Sequence, residues 1–365
     1  KNFNYFYDYS NINDKKLKTS SKNLDNDFLV VLSSGSTGNP KPIVFSQKTK
    51  YLRSKFMQKL YKIKQSDKVT LTCPIEHSLG MRLLFLPFVS GATCIVMPKF
   101  TPVSYLKIVK KFKATFSILV SNQIYQLLEQ KNSFNNFYLK TGLVSASSIL
   151  TDEAKKKIID KKIKLYEMYG ASEIATATSI NINKERGRIK SVGKSYNSKI
   201  KIRILSEKNK FLKMGEIGEI VCKTPLKFKY YLNKKKTTKI SYFKNYFKTG
   251  DIGYLDKQSY LFFLGRKKNI IRRSGFSVYP EDIENIFLND RNISEVAVIG
   301  VNRVKNEEIH LFLKKEKKLN DAYIKNICIK KLSTFQMPNK IHFLDKLPKT
   351  NLGKVDKKML LSFTN

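Results

Sequence analysis

The sequence of 365 residues contains no tryptophan, three histidines and four cysteines. The cysteines stand far apart, at positions 73, 94, 222 and 328, and form no C-x-x-C pair. A disulfide scaffold and a four-thiolate zinc site are therefore both excluded. Long apolar runs are also missing. The longest, residues 83–97, is interrupted by Pro87 and Gly91 and falls short of the roughly 20 residues that span a membrane, so we expect no transmembrane helix.

The chain begins with Lys1, and no apolar signal segment follows it. We therefore expect a trimmed or incomplete N-terminus and no secretion. The separated cysteines fit a reducing compartment and predict a cytoplasmic location. Apolar residues make up 41% of the chain and aromatic residues 12%, which is enough to bury real cores and excludes a disordered protein. The length predicts about two or three domains.

Acidic residues are scarce: 29 of them stand against 70 lysines and arginines, and the net charge is +41. Such a balance ordinarily suggests a nucleic-acid or membrane partner. The excess is spread evenly, however, with +10 in the last 100 residues and +31 in the first 265, and only 10 of the 70 basic residues are arginine. Because a recognition surface concentrates its charge and favours arginine for phosphate contacts, we predict no specific nucleic-acid partner.

Short apolar runs alternate with helical patterns in the first half of the chain. The run at 27–33 predicts a buried strand, and residues 47–63 predict a helix with Tyr51 and Tyr61 on its apolar face. This alternation favours a mostly parallel α/β subdomain over 1–194. Runs of alternating polarity then predict a small antiparallel β-barrel over 195–264, and the remainder, 265–365, predicts a small α+β domain. The expected fold class is α/β and multi-domain.

A loop rich in glycine and hydroxyl side chains follows the first predicted strand. Its glycines allow backbone N–H groups to converge on phosphate oxygens, and its hydroxyls add donors without bulk. The loop lacks the G-x-x-x-x-G-K-[ST] pattern of a P-loop, and alone it could equally be a plain connection. The residues of this candidate phosphate cradle are Ser33, Ser34, Gly35, Ser36, Thr37, Gly38 and Lys41.

Four further segments remove that ambiguity. They read Y-G-A-S-E at 169–173, T-G-D at 249–251, G-R-K-K-N-I-I-R at 265–272, and P-K-T-N-L-G-K at 348–354. With the loop, they resemble the ordered core motifs of the adenylate-forming superfamily, which comprises acyl-CoA synthetases, peptide-synthetase adenylation domains and luciferases. The resemblance extends from about residue 28 to residue 360, nearly the whole chain.

This resemblance implies an ATP-dependent reaction in two steps. A carboxylic acid attacks the α-phosphate of Mg-ATP to give an acyl adenylate and pyrophosphate, and a thiol then displaces AMP. Residues 33–41 would hold the β and γ phosphates, and Glu173 would bind Mg²⁺, a hard cation that prefers carboxylate oxygen. Tyr169 would lie against adenine and Asp251 would accept hydrogen bonds from the ribose hydroxyls. The other residues that the resemblance places around the nucleotide are Ala146, Ser147, Gly170, Ser172 and Arg266.

The resemblance also assigns roles to the C-terminal part. Lys354 would bridge the attacking carboxylate and the α-phosphate, where negative charge accumulates. Lys268 falls on the family's hinge, 266–269, about which a mobile C-terminal domain rotates between the two half-reactions. After that rotation Gly275 would line the tunnel of the thiol, which is coenzyme A or the phosphopantetheine of a carrier protein.

The identity of the acid is left more open. His77 matches the family's position beside the acyl pocket, although ordinary packing is an alternative. Glu76 keeps an amino-acid substrate open, but the Asp motif of amino-acid-activating relatives is missing. We expect a fatty or aryl acid, because small residues would leave room for an extended chain. These residues are Gly142, Ala146, Gly170, Ala171 and Ala175.

The sequence departs from the family pattern at several positions, among them Pro42 and Gln47. None of these changes removes a charged group assigned to catalysis, so activity is expected, with an inactive nucleotide-binding relative as the alternative. Only 32 residues precede Ser33, where family members carry a further subdomain. We therefore expect that this N-terminal subdomain is missing and that an apolar face is exposed where it would pack.

Overall fold

The computed structural model describes residues 23–32, 41–97, 99–130, 139–273, 276–290, 292–302, 307–316, 319–350 and 355–364. In these ranges the helices are α1 (Gln47–Tyr61), α2 (Ser78–Ser90), α3 (Pro102–Phe112), α4 (Ser121–Glu129), α5 (Asp152–Asp160), α6 (Lys235–Ile240), α7 (Pro280–Leu288), α8 (Asp321–Lys331) and α9 (Lys357–Leu361). The strands are β1 (Asp27–Leu32), β2 (Pro42–Ser46), β3 (Lys68–Leu71), β4 (Thr93–Val96), β5 (Phe116–Val120), β6 (Gly142–Ala146), β7 (Leu165–Ala171), β8 (Ala175–Asn181), β9 (Lys201–Leu205), β10 (Gly218–Lys223), β11 (Tyr230–Tyr231), β12 (Tyr242–Phe243), β13 (Tyr246–Leu255), β14 (Leu261–Arg266), β15 (Ile271–Arg273), β16 (Phe276–Val278), β17 (Val296–Asn302), β18 (Glu307–Lys314) and β19 (Lys340–Leu344).

A six-stranded sheet carries the first half of the chain. Its order is β4-β3-β5-β6-β7-β8, and every neighbouring pair is parallel except β7 and β8. Helices α2 to α5 connect the successive parallel strands. Successive residues of a strand point to opposite faces, and accordingly Leu143 of β6 packs in one core with Tyr105 while Val144 packs in another with Phe116. The expected mostly parallel α/β arrangement is confirmed.

Two antiparallel sheets share a core with the edge of this sheet. One has the order β12-β13-β10-β9 with β14 paired to β13, and the other has the order β1-β2-β11. Their common core contains Phe45, Ile220 and Phe247, together with Tyr169 and Ala177 from the six-stranded sheet. This packing brings β7, which carries the Y-G-A-S-E motif, against the strands that carry the T-G-D motif.

The C-terminal part forms its own cores. It contains the hairpin β15-β16 and the sheet β17-β18-β19, in which β17 and β18 are antiparallel and β18 and β19 parallel. Helices α7 and α8 cover one face and pack Ile283, Phe287 and Ile324 against Val298 and Leu311. The α+β content expected after residue 265 is thus present, while the boundaries of the three domains remain predictions.

Two expectations about burial are wrong. Strand β1 forms as predicted, but Phe28, Val30 and Leu32 are 48 to 56% exposed, and among the described strands only β2 pairs with it. Helix α1 also forms, yet Tyr51 is 49% exposed.

The buried face of α1 instead carries mostly polar side chains. They are Thr49, Lys50, Arg53 and Ser54, together with Met57 and Tyr61. The described helices all lack the combination of length and apolar character that crossing a membrane requires.

Candidate active site

The carboxyl ends of β6 and β7 lie side by side, because the two strands are parallel and paired in register. Ligands of parallel α/β sheets bind at this edge. The residue Ala146 ends β6, and the segment 169–173 ends β7 and turns into β8. The residues predicted to surround adenine and to bind the metal are therefore neighbours.

Tyr169, Asp251 and Arg266 form one connected group. The Tyr169 hydroxyl donates to Asp251 Oδ2 at 2.7 Å, and Arg266 Nε lies 2.9 Å from Asp251 Oδ1. Asp251 and Arg266 stand directly opposite each other in the β13–β14 pair, so strand register fixes their contact. Burial, and then the Asp251 charge, raise the pKa of Tyr169 well above its ordinary value, which keeps its hydroxyl a donor. The sequence named all three residues, and the structure brings them together.

Glu173 is held from three directions. Its Oε1 accepts a hydrogen bond from the Tyr231 hydroxyl at 2.7 Å. Its backbone oxygen accepts from the Phe228 N–H at 2.7 Å and from Arg53 Nη2 at 3.0 Å. Arg53 also donates to the backbone oxygen of Ser172 at 2.9 Å, so the predicted metal ligand stands on a fixed backbone.

Lys41 lies near the same carboxylate. Its Nζ is 5.2 Å from the centre of the Tyr231 ring, and Tyr231 in turn binds Glu173. The end of the candidate phosphate cradle thus lies against the tyrosine that binds the candidate metal ligand. The rest of the cradle, residues 33–38, lies outside the described residues, and so do Gly275 and Lys354. Their predicted roles stay predictions.

The backbone conformation at this sheet edge constrains the residue types at Gly170 and Ser147. A Cβ on Gly170 would lie 1.9 Å from the backbone oxygen of Ala175, so only glycine allows β8 to fold back so closely. Ser147 follows β6 with a φ of 82°, a left-handed conformation that few side chains adopt and that turns the chain sharply at the sheet edge.

His77 lies at the same sheet edge, after β3. It is half-buried and precedes α2 as the N-cap residue, without a capping hydrogen bond from its side chain. Because β3 and β6 are separated only by β5, His77 lies two strands from Ala146. This position agrees with both interpretations of His77, a place beside the acyl pocket and ordinary packing.

Lys268 lies exposed on the short 3-10 turn Lys267–Asn269 that follows β14. Partial burial and the positive charges of Arg266 and Lys358 lower its pKa. Immediately before this turn, a Cβ on Gly265 would lie 2.4 Å from Glu281 Oε2, so α7 packs tightly against the strand end. The predicted hinge is therefore the point at which the C-terminal part meets β14.

Two residues of the site were not predicted. Arg53 and Tyr231 contact Glu173 from 120 and 58 positions away in the sequence. No local pattern marks either residue, since Arg53 sits among the lysines of α1 and Tyr231 in an aromatic run. Only the pairing of β11 with β2 and the buried face of α1 reveal them.

The comparisons with known proteins agree with this geometry. A family model described as AMP-binding enzyme matches residues 6–232, and a second, described as AMP-binding enzyme C-terminal domain, matches residues 282–354. The chain belongs to the AMP-binding enzyme family. The predicted family and the predicted class, AMP-forming acid–thiol ligases, are thereby confirmed.

Individual relatives of this AMP-binding enzyme are distant. It is 28% identical over 347 residues to the 2-succinylbenzoate–CoA ligase of Bacillus licheniformis, covering 92% of this chain and 70% of that one. ATP-bound MatB from Rhodopseudomonas palustris matches with a TM-score of 0.86 and 26% identity, covering 94% of this chain and 69% of that structure. The o-succinylbenzoate CoA synthetase of Bacillus subtilis, solved with ATP and magnesium ion, shares the fold at a TM-score of 0.85 and 23% identity, covering 93% and 70%. The chain spans 60 to 70% of the length of curated relatives that it matches.

The residues present fit the ATP and magnesium ion that are bound in these related structures. No group of three or more histidine, cysteine, aspartate or glutamate side chains gathers within the described ranges, which excludes an all-protein metal cage there. A single carboxylate such as Glu173 suits Mg²⁺ that is bound mainly by phosphate oxygens and water. The buried Asp251 carboxylate suits a pair of hydroxyl donors. Of the predicted cofactors, ATP and CoA are confirmed as ligands of relatives, and Mg²⁺ is present with ATP in the Bacillus subtilis synthetase that shares the fold.

Proposed function

We propose that this protein activates a carboxylic acid with ATP and passes the acyl group to a thiol. In the first step a carboxylate oxygen bonds to the α-phosphorus of ATP and the bond to the β-phosphate oxygen breaks, so acyl-AMP and pyrophosphate form. In the second step the thiol sulfur bonds to the acyl carbon, AMP leaves with the electron pair of the broken C–O bond, and the thiol proton is released.

The observation that carries this proposal is the joined group of Tyr169, Asp251 and Arg266 beside Glu173. Together they supply a carboxylate that can accept from the ribose hydroxyls, an aromatic ring for the base and a second carboxylate for the metal, all at one sheet edge. Asp251 is only 2% exposed, and a buried carboxylate is costly unless it serves its partners. The Arg266 guanidinium and the Tyr169 hydroxyl compensate its charge, and we assign it to the ribose hydroxyls of ATP.

The remaining residues complete the machinery. Residues 33–38 and Lys41 hold the β and γ phosphates, Glu173 holds Mg²⁺, and Ala146, Ser147, Gly170 and Ser172 border the base. Lys354 stabilises the charge that develops on the α-phosphate. The turn that contains Lys268 acts as the hinge, and Gly275 lines the thiol tunnel once the C-terminal part has rotated. The confirmed ligase class and the expected order of the motifs support these roles.

Coenzyme A is the proposed acceptor and an organic acid of the fatty or aryl type is the proposed substrate. The relatives act on 2-succinylbenzoate, indoleacetate and long-chain fatty acids, according to their names, and each is a CoA ligase. A carrier-protein acceptor, an amino-acid substrate and a cytoplasmic site in fatty acid metabolism stay predictions.

ATP–pyrophosphate exchange over a panel of acids tests the proposal, because exchange needs the first step alone. We expect acid-dependent exchange that Glu173→Gln and Lys354→Ala each reduce by at least about 100-fold. Glu129→Gln, an exposed carboxylate on α4, is the matched control and should exchange at the wild-type rate. Binding of ATP without exchange for any acid would favour an inactive nucleotide-binding relative. Exchange that neither variant lowers would refute the assigned roles.

A further inference from the structure

Three cationic side chains are buried together between α1 and α2. Lys50 and Arg53 are each 4% exposed and Arg82 is 9% exposed. All three line one small cavity, whose wall also includes Ser78 and Phe85. Burying an ion costs several kcal/mol unless an opposite charge accompanies it, so this cluster requires an explanation.

Little negative charge balances the cluster. Arg53 uses its guanidinium on the backbone oxygens of Leu226, Ser172 and Glu173, and it faces the Glu173 carboxylate electrostatically. That carboxylate is the predicted Mg²⁺ ligand, so the metal would take up its charge. Among the ion pairs of the described residues, none includes Lys50, Arg53 or Arg82.

Among the described residues, Lys50 has two aromatic rings and no carboxylate beside its charge. Its Nζ lies 4.7 Å from the centre of the Phe45 ring and 5.5 Å from that of Phe85. Burial, and then repulsion by Arg53 and Arg82, lower the pKa of Lys50 to about 7. The potential inside this cluster is therefore positive and would favour any anion that could reach it.

Two hydrogen-bonding groups at the cavity have no partner within the described chain: Ser78 Oγ and Arg82 Nε. Both side chains are more than nine-tenths buried. Ser78 is the first residue of the 13-residue helix α2, whose unpaired N–H groups add partial positive charge. The cavity measures about 10 Å³, which is enough for one oxygen-sized group.

Two connections link the cluster with the predicted acyl pocket. Ser78 directly follows His77, and Arg82 Nη1 donates to Thr176 Oγ1 at 3.1 Å. Thr176 pairs with Gly170 across the β7–β8 hairpin. The cluster is thus connected with both residues expected to border the acid, because Ser78 is the chain neighbour of His77 and Arg82 binds the strand partner of Gly170.

We propose that the acid activated by this protein is a dicarboxylate, and that its second carboxylate places one oxygen between Lys50, Ser78 and Arg82. This inference rests on the proposed function, since it names the class of acid that the function uses. Lys50, Arg82 and the serine hydroxyl then gain an anionic acceptor, and Arg53, which already donates to three backbone oxygens, adds positive charge nearby. Among the fatty and aryl acids of the proposed function, those with a second carboxylate are therefore favoured, because a purely apolar acyl chain would leave these cations without a counter-charge.

Paired acids that differ only in the second carboxylate test the proposal by pyrophosphate exchange. Suitable pairs are succinate with butyrate, adipate with hexanoate, and terephthalate with 4-methylbenzoate. We expect at least one dicarboxylate to exceed its partner in kcat/KM by about 10- to 100-fold, the range of one or two charge-assisted hydrogen bonds. Arg82→Gln and Lys50→Met should each reduce that ratio by about 10-fold, mainly through the KM of the dicarboxylate.

Two controls separate charge from folding. Arg82→Lys keeps the positive charge and should retain part of the preference, whereas Lys59→Met removes an exposed lysine of the same helix and should leave the ratio unchanged. If monocarboxylates exchange as well as or better than their partners, the dicarboxylate proposal is wrong while the proposed function stands.

If no acid supports exchange, the proposed function fails, and calorimetric titration of the dicarboxylates in the presence of Mg-ATP decides the inference. Binding to the wild type that Arg82→Gln weakens about 10-fold would support a dicarboxylate site. Absence of binding, or equal binding by both proteins, would overturn it.

Discussion

Replacing Lys50 by methionine should make the protein more stable, although it removes a charged side chain from a binding cluster. Methionine keeps the unbranched apolar stem and fills irregular space well, so the packing between α1 and α2 is preserved. What the replacement removes is an ammonium group that is 4% exposed and lies near two other buried cations.

The magnitude follows from the pKa. Lowering the pKa of Lys50 from 10.5 to about 7 corresponds to about 5 kcal/mol at roughly 1.4 kcal/mol per unit. Attraction to the rings of Phe45 and Phe85 returns about 1 to 2 kcal/mol. Lys50→Met should therefore raise the free energy of unfolding by about 3 kcal/mol at pH 6.

The pH dependence gives the sign. The pKa of Lys50 is about 7 in the folded protein and 10.5 in the unfolded chain. The wild type is therefore most stable above pH 10.5, where the amine is neutral in both states, and it loses stability as the pH falls from 10.5 to 7. The gap between Lys50→Met and the wild type should thus widen from pH 10 to pH 7 and stay constant below.

Urea denaturation at pH 6, 8.5 and 10 measures the gap, with Lys59→Met as the exposed control that should show none. A Lys50→Met protein that is less stable than the wild type at pH 6, or a gap that does not change with pH, would refute the reasoning. A gap that narrows when a dicarboxylate is added would connect this cost to the proposed ligand.

Three further predictions concern other parts of the molecule. Asp251→Asn should raise the KM for ATP in the exchange assay at least about 10-fold, because the ribose hydroxyls lose a charged acceptor; an unchanged KM would contradict the nucleotide assignment. Tyr231→Phe removes the donor to Glu173 and should raise the Mg²⁺ concentration for half-maximal exchange about 10-fold, whereas the neighbouring Tyr230→Phe should have no effect. Burial, and then the Glu281 charge, raise the pKa of Asp282 from 3.8 to about 6, so the stability that its protonated form contributes is lost as the pH rises through 6. Asp282→Asn should therefore melt at a higher temperature than the wild type at pH 8 and at the same temperature near pH 4; a difference that is equal at both would exclude this cause.

The fold was largely predictable from local patterns. Short apolar runs separated by helices fix the parallel sheet, since each run reads as β-structure and each connection is long enough for a helical crossover. An exposed apolar face was expected, but which strand would carry it was not predictable, because an apolar run has the same composition whether a layer covers it or not. In the described chain β1 pairs only with β2, and Phe28 and Leu32 stay exposed.

The site was predictable where motif residues are brought together by strand register. Asp251 opposes Arg266, and Tyr169 reaches them through the core that joins the sheets. Arg53 and Tyr231 were not predictable, because contacts across 120 and 58 positions leave no periodic signal in the sequence.

The most informative failure of local reasoning is α1. Hydrophobic periodicity predicts that Tyr51 and Tyr61 are both buried. Tyr61 is, yet the helix exposes Tyr51 and buries Lys50 and Arg53 instead. Hydrophobic patterning rules assume that buried positions stabilise the fold. Burying the charges of Lys50 and Arg53 on one face of α1 lowers the stability instead. Sequences violate such rules mainly at functional sites. The violation therefore points to the same place as the unpartnered Ser78 and Arg82 groups: a pocket whose charge has been retained for a ligand at the expense of the fold.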